Sequence, residues 1–117
     1  MVVATGTRCV YIVDQTGVDS TGAVVGDDYA SQAAQAFRNV TTALEAAGAE
    51  WDNVVKMNIL VVNHGPAAAE DIFGAAFALF GEVLSTPTAP LYGVQALFEP
   101  DHLVEIDVSS PRCSPRA

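Results

Sequence analysis

Two carboxylates on one predicted strand are the residues whose types and spacing most directly suggest chemistry. The stretch LVEIDV (103–108) alternates apolar and acidic residues, which is typical of a β-strand with one buried face. Glu105 and Asp107 then share the face opposite the apolar residues. A carboxylate can act as a general acid or base, and a buried or crowded one acquires the raised pKa that such work needs. We expect Asp107 to lie toward the strand end and solvent.

The charge balance limits the classes of partner. The chain of 117 residues carries 14 Asp and Glu against 5 Lys and Arg, a formal net charge of −9. Phosphate backbones and anionic membrane surfaces are bound by clustered basic residues, so the charge argues against nucleic acid and against a membrane. The length fits one domain, which we place at residues 1–110, followed by a flexible tail over 111–117.

Cysteine and histidine usage indicates neither a metal nor another cofactor. Cys9 and Cys113 have no Cys or His at ligand spacing, and His64 and His102 lie in loop-like contexts. No leader pattern opens the chain, and the longest apolar run is too short to span a bilayer. We expect a cytoplasmic protein with reduced thiols.

Hydrophobic periodicity predicts an α+β fold with the order β-β-β-α-β-α-β-β. A helix is expected over 26–50, capped by Asp27 or Asp28 and ended by Gly48, because apolar residues recur there at three- and four-residue steps. A second helix is expected over 67–84. Its predicted buried side consists of Ile72, Phe73, Ala76, Phe77 and Phe80. The predicted strands are 8–18, a short return at 23–25, 53–62, 91–98 and 103–108.

Two helices can cover only one face of this sheet. The other face is partly apolar, and the sequence offers no third helix to cover it. An uncovered apolar face usually meets a partner subunit, so we expect a homo-oligomer.

Four segments in this order resemble the RidA family, also called YjgF, the reactive-intermediate (enamine/imine) deaminases. They are VDQTGVDSTGAVVGD, the long run QAAQAFRNVTTALEAAGAEWDNVVKMNILVVN, FGE, and PTAPLYGVQALFEPDHLVEIDV. The resemblance implies a chorismate-mutase-like fold and a homotrimer with ligand clefts between subunits. It also implies that an arginine on the penultimate strand binds the substrate carboxylate, while a glutamate on the last strand, Glu105 here, positions the hydrolytic water.

The sequence departs from the family pattern at several pocket positions. Ala89 stands where the family has its arginine, and Val13-Asp14-Gln15 replaces Ser-Gly-Gln. Leu91 takes a position where the family often has cysteine. The family's helix asparagine falls at Phe73, or at Asp71 if the preceding loop differs in length.

An acid without its basic neighbour suggests an altered substrate. Glu105, in a pocket with Val13, Ala89, Leu91 and Phe73, should have a raised pKa, and Asp14 would raise it further if it points the same way. We therefore predict hydrolysis or tautomerisation of an imine or enamine on a small, neutral or cationic, fairly apolar metabolite. Glu105 and Asp14 would be the catalytic residues and Gln15 would line the site. The alternatives are a non-catalytic metabolite-binding protein and an endoribonuclease or translation inhibitor, which the net charge disfavours.

Overall fold

The computed structural model describes residues 8–81 and 90–112, with the Arg112 side chain left aside. Two helices and four strands carry the fold, and a short 3-10 helix, Trp51–Asn53, precedes the second strand. The elements are β1 (Arg8–Thr16), α1 (Tyr29–Ala46), β2 (Lys56–Val62), α2 (Pro66–Phe80), β3 (Leu91–Val94) and β4 (Val104–Arg112).

The strands form one mixed sheet in the order β1-β4-β2-β3. β4 is antiparallel to both of its neighbours, and β2 is parallel to β3. Alternate residues of β2 and β4 are buried beneath the helices, which is the period expected for strands covered on one side. These are Met57, Ile59, Val61, Val104, Ile106, Val108 and Ser110. The predicted α+β architecture is confirmed.

The start and end of α1 follow from local chemistry. Of the two predicted caps, Asp28 is the one used: its side chain accepts a hydrogen bond from the Ser31 N–H at 2.9 Å. Hydrogen bonds from the backbone and the side chain of Ser31 lower the pKa of the Asp28 carboxyl. Gly48 has φ +75°, a left-handed conformation that glycine adopts without strain, and it follows the end of the helix as predicted.

A buried glutamine ties α1 to the chain that leads into β4. The Gln32 Nε2 donates to the carbonyls of Gly26 at 2.9 Å and Asp101 at 3.0 Å, and its Oε1 accepts from the Leu103 N–H at 2.7 Å. Gly17 packs against the same point, since a Cβ there would lie 2.7 Å from the Gln32 Cα. These contacts fix where β4, and with it Glu105, begins.

The buried side of α2 is the predicted one in part, since Ile72, Ala76 and Phe80 pack in or against the core. Ile72 is fully buried, but Phe73 is 46% and Phe77 63% exposed. The helix is apolar nearly all round, so its periodicity does not select a face. Ala75, Ala78 and Leu79 line a groove between the two helices. Phe80 packs edge-on against Phe37 of α1, with ring centroids 5.8 Å apart, so it is the other two phenylalanines of the helix that are exposed.

Other boundaries also differ from the prediction. The expected strand over 23–25 is reduced to a single bridge between Val18 and Val24. The strand expected from residue 53 starts at Lys56, after the 3-10 helix. β4 continues to Arg112, two residues beyond the predicted domain boundary. Residues 113–117 of the expected tail lie outside the described residues, as does Ala89.

Among the helices described, none is long and apolar enough to cross a membrane.

Candidate functional site: a carboxylate cluster at a β-bulge

The site is built on an irregularity in β1. Ile12 pairs with Val108 and Gln15 with Ile106, so Val13 and Asp14 together stand opposite the single residue Asp107. This two-against-one arrangement is a β-bulge. Asp14 has φ +59°, in the left-handed region that Asp tolerates better than most residues. The bulge therefore falls at the position where the family resemblance predicts the glycine of Ser-Gly-Gln.

Two side chains form hydrogen bonds with backbone groups at the bulge. The Asp14 backbone N–H donates to the Oδ1 of Asp107 at 2.8 Å. The Gln15 Nε2 donates to the Val13 carbonyl at 2.9 Å. A bulge disrupts the ladder hydrogen bonds of its strand, and these side-chain bonds act in their place. Gln15 is thus a backbone-bonding residue.

Three carboxylates converge on the sheet face that the helices do not cover, which we call the open face. One oxygen each of Asp14, Glu105 and Asp107 lies within 4.8 Å of the other two. Asp14 is exposed, while Glu105 and Asp107 are half-buried. Asp107 was expected at the strand end in solvent, but it lies mid-strand because β4 continues to Arg112. Its side chain accepts the Asp14 N–H within the cluster.

The cluster perturbs Glu105. Burial raises the pKa of the Glu105 carboxyl, and the negative charges of Asp14 and Asp107 raise that pKa further. A hydrogen bond with the Asp14 side chain acts in the same direction, because a protonated Glu105 can donate to it. Glu105 thus keeps its proton to a higher pH than an ordinary glutamate, which suits a general acid.

The neighbouring strands add acceptors and apolar surface to the open face. In the sheet register Leu60 of β2 stands beside Glu105, and Tyr92 of β3 stands beside Leu60. Asn58 stands beside Asp107, and its Oδ1 is buried with no hydrogen-bond partner in the described part of the chain. The site is therefore rich in acceptors.

The other predicted site residues are not all gathered here. Val13 is 55% exposed beside Asp14. Leu91 pairs with the buried Ile59 and packs against the core, so it lies on the helix side of the sheet. Phe73, on α2, also lies on the helix side, and the same holds for the alternative, Asp71. One protomer brings Glu105, Asp14 and Val13 together, but neither Leu91 nor Phe73. Gln15 pairs with the buried Ile106, so the register places it on the helix side as well.

Sequence reasoning missed Asp107 and Asn58. Strand alternation placed Asp107 on the same face as Glu105, which was a usable signal. Asn58 lies in the apolar run NVVKMNILVV, and the sequence alone does not show which residue of β4 it pairs with.

Carboxylates at this spacing could hold a cation. They are the one group of three or more acidic, His or Cys side chains close enough to do so among residues 8–81 and 90–112. Acidic groups are often close without an ion, so the spacing alone assigns no metal.

Comparison with known proteins places this geometry in a family. Residues 2–110 match the sequence model of the family described as endoribonuclease L-PSP. A solved structure from Yersinia pestis, YyfB of the conserved Rid protein family and of unknown function, is 33% identical, with a TM-score of 0.82 over 91% of this chain and 80% of that chain. The chain belongs to the RidA/YjgF family. A Mycobacterium tuberculosis member of the YjgF/YER057c/UK114 family is 29% identical, with a TM-score of 0.71 over 88% of this RidA/YjgF chain and 78% of that one.

Curated relatives of this RidA/YjgF chain are 2-iminobutanoate/2-iminopropanoate deaminases. The human protein is 40% identical over 57 residues, which are 48% of this chain and 42% of the relative. The bovine protein is 33% identical over 92 residues, 77% of this chain and 64% of the relative. The chain thus spans less than half the length of the human deaminase and just under two thirds of the bovine one.

Proposed function

We propose that this RidA/YjgF protein hydrolyses a small imine or enamine that carries no carboxylate, with Glu105 as the general acid and base. The observation that carries the proposal is the cluster of Asp14, Glu105 and Asp107 within 4.8 Å. A neutral or cationic imine gains from three nearby carboxylates, whereas an anionic one is repelled by them.

The raised pKa of Glu105 fits the proton transfers that imine hydrolysis requires. Protonated Glu105 gives its proton to the imine nitrogen, and the resulting iminium is stabilised by the cluster's negative charge. The Glu105 carboxylate then takes a proton from a water molecule while the oxygen of that water bonds to the iminium carbon. Glu105 returns that proton to the nitrogen of the carbinolamine. As the C–N bond breaks, the carbinolamine hydroxyl gives its proton to the Glu105 carboxylate, so that a carbonyl and ammonia or an amine leave and Glu105 is protonated again. Asp14 accepts from protonated Glu105 between these steps.

The proposed clefts require a second copy of the chain. The open face carries exposed apolar side chains, Tyr11 at 70%, Val13 at 55% and Tyr92 at 46% exposure. Apolar surface of this kind flanking a half-buried carboxylate supports an assembly in which a neighbouring subunit closes the site and excludes water. We propose the homotrimer that the family resemblance implies. Phe73 and Ala89 would have to come from that neighbour, or from outside the described residues, to line the cleft.

The proposed activity differs from that of the curated relatives, the 2-iminobutanoate/2-iminopropanoate deaminases. A 2-imino acid carries a carboxylate that needs a basic partner, and the position expected to supply it is Ala89. Losing one partner of a desolvated, charge-assisted pair costs on the order of 3–5 kcal/mol, or roughly a thousandfold in transition-state binding.

A matched pair of ketimines tests the proposal. 2-Iminobutanoate is generated by a threonine dehydratase, and butan-2-imine, which lacks the carboxylate, by an amine oxidase acting on 2-aminobutane. We expect the protein to accelerate carbonyl release from butan-2-imine and to leave 2-iminobutanoate nearly at its uncatalysed rate. Glu105→Gln should abolish the acceleration, because an amide neither gives nor takes the proton.

Each alternative has its own result. Faster hydrolysis of 2-iminobutanoate alone would mean that another group replaces the arginine, and the proposal would be wrong. Acceleration that survives Glu105→Gln would remove Glu105 from the chemistry. Ligand binding with no turnover of either imine would favour the metabolite-binding alternative.

A further inference from the structure

The position of the Asp14 carboxylate is unexpected for a regular strand. Ile12 is buried beneath the helices, and in a regular strand residue 14 would share that face with it. The bulge inserts one extra residue, so that Gln15 rather than Asp14 pairs with Ile106. Asp14 consequently joins Glu105 on the open face.

One side-chain bond supports the bulge at its unusual residue. A non-glycine residue at φ +59° is strained, and an aspartate there is stable only if its surroundings hold it. The Asp107 carboxylate accepts the Asp14 N–H at 2.8 Å, and a charged acceptor makes a stronger bond than a neutral one. This bond joins residues 93 positions apart across β1 and β4.

We infer that Asp107 is a positioning residue, which holds the bulge by accepting the Asp14 N–H and thereby keeps the Asp14 carboxylate beside Glu105. Asp107 does not itself need to touch a substrate. The inference rests on the proposed acid–base role of Glu105 for its functional meaning, but the geometric claim can be tested without any turnover.

The groups that face Glu105 are few, so their effects can be separated. Asp14 approaches from β1 and Asp107 lies two residues along β4. β2 places uncharged Leu60 and Asn58 beside them, and its charged residue Lys56 pairs further along with Ser109. From β3 the titratable residue is Tyr92, one strand beyond Leu60. The helices lie on the opposite face of the sheet.

Asp107 could act on Glu105 by positioning Asp14 or by its own charge alone. These two roles predict different results when the Asp14 side chain is deleted. The variant Asp14→Gly deletes the carboxylate but keeps the N–H and suits the left-handed conformation. Asp107→Asn removes the charge and retains a side-chain oxygen that can accept the N–H. Asp107→Val removes charge and acceptor together while suiting a strand. The measured quantity is the pKa of Glu105, followed by NMR of labelled glutamate carboxyl carbons and assigned with Glu105→Gln.

If Asp107 positions Asp14, the change that Asp14→Gly causes in the pKa of Glu105 depends on the residue at position 107. We expect Asp14→Gly to lower the pKa of Glu105 in the wild type and in Asp107→Asn. In Asp107→Val it should cause little further change, because Asp14 has already left the cluster. If Asp14→Gly lowers the pKa equally in Asp107→Asn and Asp107→Val, Asp107 acts by charge alone and the inference is wrong. Asp107→Ala replaces Asp107→Val if the latter fails to fold.

The same variants separate this inference from the proposed function. For the imine hydrolysis, Asp107→Asn should preserve the pH profile of kcat/KM better than Asp107→Val does. A background-dependent pKa with no turnover on any imine would leave the positioning role intact and overturn the function. The opposite result is turnover that requires Glu105, together with an effect of Asp14→Gly on the pKa of Glu105 that is the same in Asp107→Asn and Asp107→Val. It would support the proposed function and overturn the positioning role.

Discussion

Glu105 ties the stability of the protein to pH in a direction opposite to that of most carboxylates. Its folded-state pKa is raised above the ordinary value of 4.5, so the folded protein holds the proton in a range where the unfolded chain has released it. The unfolded state binds fewer protons there, and the free energy of unfolding falls as pH rises from about 4.5 through the folded pKa.

Glu105→Gln should remove this dependence. The variant cannot titrate, so its free energy of unfolding relative to the wild type should increase as pH rises through that window and then level off. Urea unfolding at a series of pH values measures the difference. A relative stability that stays constant with pH would contradict the raised pKa.

Asp28→Asn is a control of opposite sign. Hydrogen bonds from Ser31 lower the pKa of the Asp28 carboxyl below its ordinary value of 3.8. The stability that Asp28 contributes is therefore fully present above pH 3.8 and is lost as pH falls through the lowered value. The advantage in stability of the wild type over Asp28→Asn should shrink as pH falls below 3.8. The stability of Glu105→Gln relative to the wild type changes instead as pH rises above about 4.5.

At the scale of elements, Gln32 should matter more than other polar residues of α1. Replacing it by leucine leaves the Gly26 and Asp101 carbonyls and the Leu103 N–H without their side-chain partner. A buried polar group left unsatisfied costs about 1–3 kcal/mol. These groups are partly buried, so Gln32→Leu should lower the free energy of unfolding by about that much in total. Chemical denaturation measures the loss.

Gln35→Leu is the matched control on the same helix. Gln35 is half-buried and donates one hydrogen bond, to the Oδ1 of Asn39 at 3.0 Å within α1. It makes no bond to β4 or its approach, so its replacement should cost well under the loss at Gln32. Equal losses at the two positions would mean that Gln32 acts through volume rather than through its three bonds.

The elements that the sequence predicted well are those in which periodicity and caps agree. α1 has an apolar stripe, an Asp cap and a terminal glycine, and β4 alternates strictly, so both were predicted with the correct faces. The bulge gave no such signal, because it falls on Asp14 and not on a glycine or a turn sequence. The face of α2 was right for Ile72 and Phe80. It was wrong for Phe73 and Phe77, because an almost wholly apolar helix has no periodicity that selects one face.

At the scale of the whole molecule, we predict that the protein elutes as a trimer, with about three times the 12.2 kDa mass of the chain. Multi-angle light scattering after size exclusion measures this mass. Tyr11→Lys, on the open face, should release monomer, because an ammonium group loses its hydration when it is buried in an interface.

Phe77→Lys provides the comparison for that experiment. Phe77 is 63% exposed and Tyr11 70%, but Phe77 lies on α2, in the helix layer. We expect Phe77→Lys to leave the mass unchanged. A trimer that survives Tyr11→Lys and dissociates in Phe77→Lys would move the subunit contact from the sheet to the helices.

The bulge also affects how the sheet resists aggregation. In the described part of the chain β1 is an edge strand, and a regular edge presents a row of free N–H and C=O groups onto which another chain can add. At Asp14 the left-handed backbone and the inward hydrogen bond to Asp107 break that row after Ile12. Among the described residues, a foreign strand can pair regularly with Arg8 to Ile12, but the break prevents that pairing from continuing along the rest of β1. The same irregularity that assembles the acids thus protects an otherwise apolar edge.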